Sequence, residues 1–164
     1  MIKKYLNIIA ECCKKIFGEM TQTEVVSVRI KPDERPKEIY AVAKIIHYED
    51  INKKLEGSFV LGFPDESTAI LVASAIAENL GLPPVSKMEE EASDILDEFI
   101  NIIVGRTISE WDKVGLRVKF DSPNSLNNSS IQEKSFASTE AYIIILTLEV
   151  DSYIVFRVTF NKIK

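Results

Sequence analysis

The sequence predicts an α+β fold built from two similar α-βββ halves that share one sheet. Three observations carry this reading. Apolar residues recur at threes and fours in some segments and run in short β-rich stretches in others. Those segments follow one another as α-βββ-α and then α-βββ. Sliding the chain by 87 residues lays residues 8–18 on 95–105, which puts Glu11 on Glu98, Lys14 on Asn101 and Gly18 on Gly105. The strands ending at Pro32 and Pro123 follow at nearly the same offset. The 164 residues therefore read as a single domain, residues 1–164, with pseudo-repeat halves at about 1–84 and 85–164.

Residues 3–17 place Leu6, Ile9, Ala10, Cys13, Ile16 and Phe17 on one helical face, and Gly18 is expected to stop that helix. Residues 25–30 read as a short strand closed by the Lys-Pro-Asp-Glu-Arg-Pro turn at 31–36. Residues 39–48 and 55–63 are two more strands, with the polar stretch 49–54 as their hairpin loop. Pro64 opens a second helix that Asp65 is placed to cap, and Gly81 ends it with Pro83 and Pro84 beyond. The third helix is the best signed. Ser86 and Glu89 have the spacing of a capping box, and Glu89, Glu90 and Glu91 fall where the helix dipole favours acids. It is expected to run to Val104 and stop at Gly105. A strand at 116–120 then ends in Asp121-Ser-Pro123, and the Ser- and Asn-rich stretch 124–135 reads as a long loop. Residues 141–150 and 153–160 form a closing hairpin around Asp151 and Ser152.

Composition removes several classes of function. A net charge of −5 lacks the electrostatic footprint of a nucleic-acid binder. No stretch approaches the 18 apolar residues of a membrane span. Met1-Ile-Lys-Lys has the charge of a secretory start, but Glu11, Lys14 and Lys15 interrupt the apolar run behind it, so a cytoplasmic chain is expected. Cys12 and Cys13 are adjacent, a spacing at which a disulfide is strained, and they read as buried free thiols. With His47 as the only histidine there is little material for a His-based metal site or a catalytic triad, and no phosphate-loop or dinucleotide motif is present. No cofactor of its own is expected. Trp111 reads as a packing residue beside the third helix.

On that helix, Ala92, Ile95, Leu96, Phe99, Ile100, Ile102 and Ile103 share one broad apolar arc. Asp94, Glu98 and Asn101 stack within about 60° of one another on the opposite side, because spacings of four and three bring side chains together. All three are expected to be accessible, with Phe99 and Ile103 buried. Asp94-x-x-x-Glu98-x-x-Asn101, followed by Gly105, resembles the signature of the CheC/CheX family of chemotaxis phosphatases. In that family a Ser or Asp, then Glu, then Asn on one helix precedes a proline some twenty-odd residues on. Pro123 takes that place here after 21 intervening residues, about one short of the family pattern. Residues 55–63 with the helix after them, and residues 114–123, resemble the family's units on either side of the signature.

The resemblance implies a CheC-like duplicated fold, with a largely antiparallel sheet and long helices packed on it. It implies a phosphatase that hydrolyses the aspartyl phosphate of a CheY-like response regulator. Asn101 would position the attacking water, Glu98 would pair with the regulator's active-site lysine, and Asp94 would be a contact residue. Mg²⁺ would belong to the regulator. Lys14 stands where a second site needs Asn, so one working site is implied, nearer to CheX than to CheC. The resemblance also suggests a homodimer. The alternative is a catalytically silent CheC-like module that binds a signalling partner.

Overall fold

The computed structural model describes residues 2–33, 40–125, 138–149 and 152–163. In chain order these form helix α1 (Ile2–Thr21), strands β1 (Ser27–Pro32), β2 (Val42–Asp50) and β3 (Leu55–Phe63), and helices α2 (Glu66–Asn79) and α3 (Glu90–Lys113). Strands β4 (Val118–Phe120), β5 (Asn124–Ser125), β6 (Ser138–Thr147) and β7 (Tyr153–Lys162) follow. The strands make one antiparallel sheet in the order β1-β6-β7-β3-β2-β4, with β5 also paired to β2. Exchanging β1 with β4, β2 with β6 and β3 with β7 returns the same order read from the other edge. The sheet is therefore duplicated about the β3–β7 seam, as the repeat predicts. Helix α2 stands outside the duplication.

Period-two alternation decides which face of the sheet is covered. Ile46 and Tyr48 of β2, Phe59, Leu61 and Phe63 of β3, and Ile154, Phe156, Val158 and Phe160 of β7 join one core with the buried sides of the helices. Helices α1 and α3 cross this layer antiparallel, since Tyr5 meets Trp111 edge-to-face at 5.7 Å and Phe17 meets Phe99 edge-to-face at 6.3 Å. Asp65 caps α2 as expected: its carboxylate accepts from the Thr68 N–H at 2.7 Å.

Several boundaries differ from the sequence reading, each for a physical reason. The capping box does not form. Helix α3 starts at Glu90, with Glu89 as an N-cap whose side chain makes no capping bond; the Glu89 N–H is already committed to the Lys87 carbonyl. Glu90 and Glu91 still occupy the first turn, where the dipole favours them. Nor does Gly105 end the helix. Thr107 and Trp111 extend the buried stripe of Phe99, Ile100, Ile103 and Val104, and that burial outweighs a glycine cost of about 1 kcal/mol. The stop is Gly115, at φ +97°. Gly18 is likewise inside α1, which continues to Thr21 and ends with Gln22 at φ 57°. Trp111 thus lies on α3 itself, fully buried. Asn124 and Ser125 are a short strand rather than the start of a loop, and the rest of the expected loop, residues 126–135, lies outside the described residues. Residues 34–36 of the turn after β1 and Asp151 of the last hairpin lie outside them too.

Candidate active site on helix α3

The three residues singled out by spacing do share one stripe of α3. Asp94 and Glu98 are exposed; Asn101 is half-buried, more enclosed than expected. Phe99 and Ile103, on the other side of the helix, are buried as expected. Among the described residues, the side chains of Asp94, Glu98 and Asn101 have no hydrogen-bond or ion-pair partner. An acid and a neutral amide, one turn apart on a long helix whose opposite face is locked into the core, are thus held out with their bonding capacity unspent.

Two anchors fix what flanks them. At one end, Lys44 of β2 is buried beneath the first turns of α3, donating to Ser93 Oγ at 2.5 Å and to Ser125 Oγ of β5 at 2.9 Å. Its ammonium also lies 3.1 Å from Asp97 Oδ1, an ion-pair distance at an angle that forms no hydrogen bond. At the other end, Gly105 turns toward Phe120 of β4: a Cβ built there would stand 3.9 Å from the edge of that ring. Helix α3 and the strip 120–125 therefore run side by side in opposite directions. Asn101 lies between the anchors on the helix, and half-buried Pro123 lies between them on the strip. The strip is itself held by β2, through an Asp121 N–H bond to the His47 carbonyl and the pairing of Asn124 with Ile45.

The sequence reading missed Lys44, Ser93, Asp97 and Ser125. Ser93 and Asp97 stand one turn apart, and Lys44 interrupts the apolar run of β2 at a position facing the helices; that parity was the available signal. The pseudo-equivalent stripe on α1 carries exposed Glu11 and Lys14. Among the described residues no group of three or more His, Cys, Asp or Glu is placed to hold a metal ion, and no helix is long and apolar enough to cross a membrane.

The fold has well-matched solved relatives. A CheC-like superfamily protein from Shewanella sp. PV-4 superposes with a TM-score of 0.77 at 16% identity, covering 96% of this chain and 97% of its own. The chemotaxis protein CheX from Vibrio vulnificus matches with a TM-score of 0.74 at 17% identity, over 96% and 99% of the two chains. CheX in the CheX-CheY-BeF3-Mg²⁺ complex from Borrelia burgdorferi matches with a TM-score of 0.73 at 21% identity, over 96% and 98%. At these identities the likeness is one of fold. No curated protein matches the chain. The family described as chemotaxis phosphatase CheX matches residues 49–147, a stretch that includes all of α3 and the strip beside it. By that match the chain belongs to the CheX family of chemotaxis phosphatases.

Proposed function

We propose that this chain hydrolyses the aspartyl phosphate of a CheY-like response regulator, with Asn101 as the catalytic residue and Glu98 as the docking residue. The observation that carries the reading is the unpartnered pair itself: an acid and an amide at a three-residue spacing on one stripe of α3. Family membership supports the reaction class, and the Borrelia complex shows a relative of the same fold engaging a CheY.

The chemistry asks little of the phosphatase. An acyl phosphate is already activated, and the regulator's own Mg²⁺ and lysine neutralise charge on the leaving group. What is missing is a water held in line with the scissile bond, and positioning of this kind is most of catalysis in phosphoryl transfer. A carboxamide offers both a donor and an acceptor and never ionises, so Asn101 can orient that water at any physiological pH. Its half-buried setting limits the positions the amide can take. Glu98, one turn back and exposed, reaches the regulator's lysine as a charge-assisted pair. Asp94, a further turn back, adds contact at the edge of the interface.

Single-turnover decay of regulator phosphate, measured at saturating chain, tests the assignment. Asn101→Ala should slow the accelerated decay by orders of magnitude with little change in affinity for a beryllofluoride-activated regulator. Glu98→Ala should weaken that affinity by roughly thirtyfold or more, since truncating one partner of a desolvated charge pair costs about 2–5 kcal/mol. Equal acceleration by wild type and Asn101→Ala removes Asn101 from the water-positioning role. Binding of a regulator without acceleration leaves the silent binding module.

A further inference from the structure

Lys44 is 2% exposed in the core-facing row of β2, between half-buried Val42 and buried Ile46. Lysine is seldom buried unless paired, and burying an ammonium is costly unless its donors are met. Here its charged end finds three groups on two other elements: Ser93 and Asp97, one turn apart on α3, and Ser125 on β5. An apolar side chain of similar length would fill the same space without desolvating a charge. The lysine is therefore an expensive way to fill this place if stability is its only role.

Its placement relative to Asn101 is specific. Asp97 is one turn before Asn101 and about 40° from it around the helix. Ser125 is two residues beyond Pro123 and is the register partner of Lys44 in the β2–β5 pairing. The Lys44 ammonium therefore ties the Ser125 end of the strip to the turns of α3 that precede Asn101. We infer that Lys44 is a positioning residue for the reaction proposed above: it sets the separation between α3 and the strip 120–125, and with it the orientation of the Asn101 amide. The inference rests on the reading of Asn101 as the catalytic residue. Lys44 itself touches no substrate.

The test compares Lys44→Met, the double variant Lys44→Met with Asp97→Leu, and Ser125→Ala, each with three readouts. These are thermal midpoint, single-turnover decay of regulator phosphate at saturating chain, and ¹⁵N relaxation of the Asn101 side-chain amide in the free chain. Lys44→Met should lower the saturated rate ten- to a hundredfold while affinity for the beryllofluoride-activated regulator stays within twofold, and the amide should become more mobile. The double variant, which buries no unpaired charge, should recover the thermal midpoint and keep the low rate; a purely structural lysine would recover both. Should Lys44→Met fail to fold, Ser125→Ala carries the test, with an expected rate loss of severalfold. Wild-type rate and wild-type amide order in the folded variants overturn the inference. If wild type accelerates no regulator, the proposed function falls, while amide relaxation, which needs no regulator, still decides whether Lys44 orders Asn101.

Discussion

Removing one oxygen atom from Tyr48 should cost more than its size suggests. The ladder between β3 and β7 breaks: Glu56 pairs with Asn161 and Phe59 with Val158, but the residues between them do not pair. Side chains fill the gap. The Ser58 N–H donates to Thr159 Oγ1 at 2.9 Å, and the Tyr48 hydroxyl donates to the Thr159 carbonyl at 2.6 Å. Burial pushes the Tyr48 hydroxyl far above its ordinary range, so it is a neutral donor throughout physiological pH. Its ring packs against Phe59 at 5.0 Å and Trp111 at 5.6 Å. Tyr48→Phe keeps that packing and strips the Thr159 carbonyl of its donor in a dry setting. An unsatisfied buried acceptor costs about 1–3 kcal/mol. For a chain of this length that is a fall in Tm of roughly 2–12 °C. Urea unfolding gives the cleaner number: the midpoint should drop with an unchanged slope. A change below about 0.5 kcal/mol would mean that water or another donor already serves Thr159, and the account of the gap would be wrong. Gly57 belongs to the same arrangement. A Cβ there would sit 2.0 Å from the Thr159 carbonyl oxygen and 2.6 Å from the Tyr48 hydroxyl, so Gly57→Ala should not yield the native fold.

Hydrogen bonds from Ser67 first, then from the Thr68 N–H and hydroxyl, hold the Asp65 carboxyl below its usual range. Its stabilisation of α2 is therefore present above the ordinary carboxylate pKa and lost as pH falls through the lowered folded value. Urea midpoints of wild type and Asp65→Ala should differ at neutral pH and converge in acid. Burial raises both thiols, and Cys12 opens on the groove between α1 and α3 lined by Asn7, Lys15, Arg106 and Glu110, whereas Cys13 is sealed. Iodoacetamide should label both more slowly than a free thiol at neutral pH, Cys12 before Cys13, with mass spectrometry of peptides as the readout. Lys14→Asn, placed in the Asn101→Ala background, should restore no measurable dephosphorylation; a rate near wild type would show that α1 needs only the amide.

The parts legible in the sequence were those that local chemistry decides. Alternation and apolar runs located β3 and β7, Asp65 announced the start of α2, and the polar stripe of α3 followed from spacing alone. Local signals failed where tertiary burial opposed them. Gly18 and Gly105 both look like helix stops, yet both lie inside helices because the buried stripe continues past each of them. Ser86 and Glu89 have the spacing of a capping box, but the chain between them takes a tight turn instead. The parity of Lys44 was legible, but which groups it meets was out of reach for a different reason. Its partners lie 49 and 81 residues away, and no periodicity links a strand residue to a serine beyond a proline in another segment.

The duplication makes the asymmetry between the two halves informative. Under the exchange that maps the sheet onto itself, β2 corresponds to β6, so the counterpart of Lys44 falls among the helix-facing residues of β6. That row is Ser138, Glu140, Tyr142, Ile144 and Leu146, with Ile144 and Leu146 in the core and Tyr142 packed against it, and none of the five is a lysine. Helix α3, which bears the amide, is thus underlain by a lysine from β2, whereas β6, the strand that corresponds to β2, offers no lysine for the helix that carries Lys14. Two changes at unconnected positions track the same loss. A lysine whose role was to fill space under a helix would have no reason to be confined to the strand beneath the helix that bears the amide. One that holds the neighbouring strip against the ridge would. On this argument the α1 stripe is missing the frame around its side chain as well as the side chain, and that is why restoring the amide alone should not restore a site.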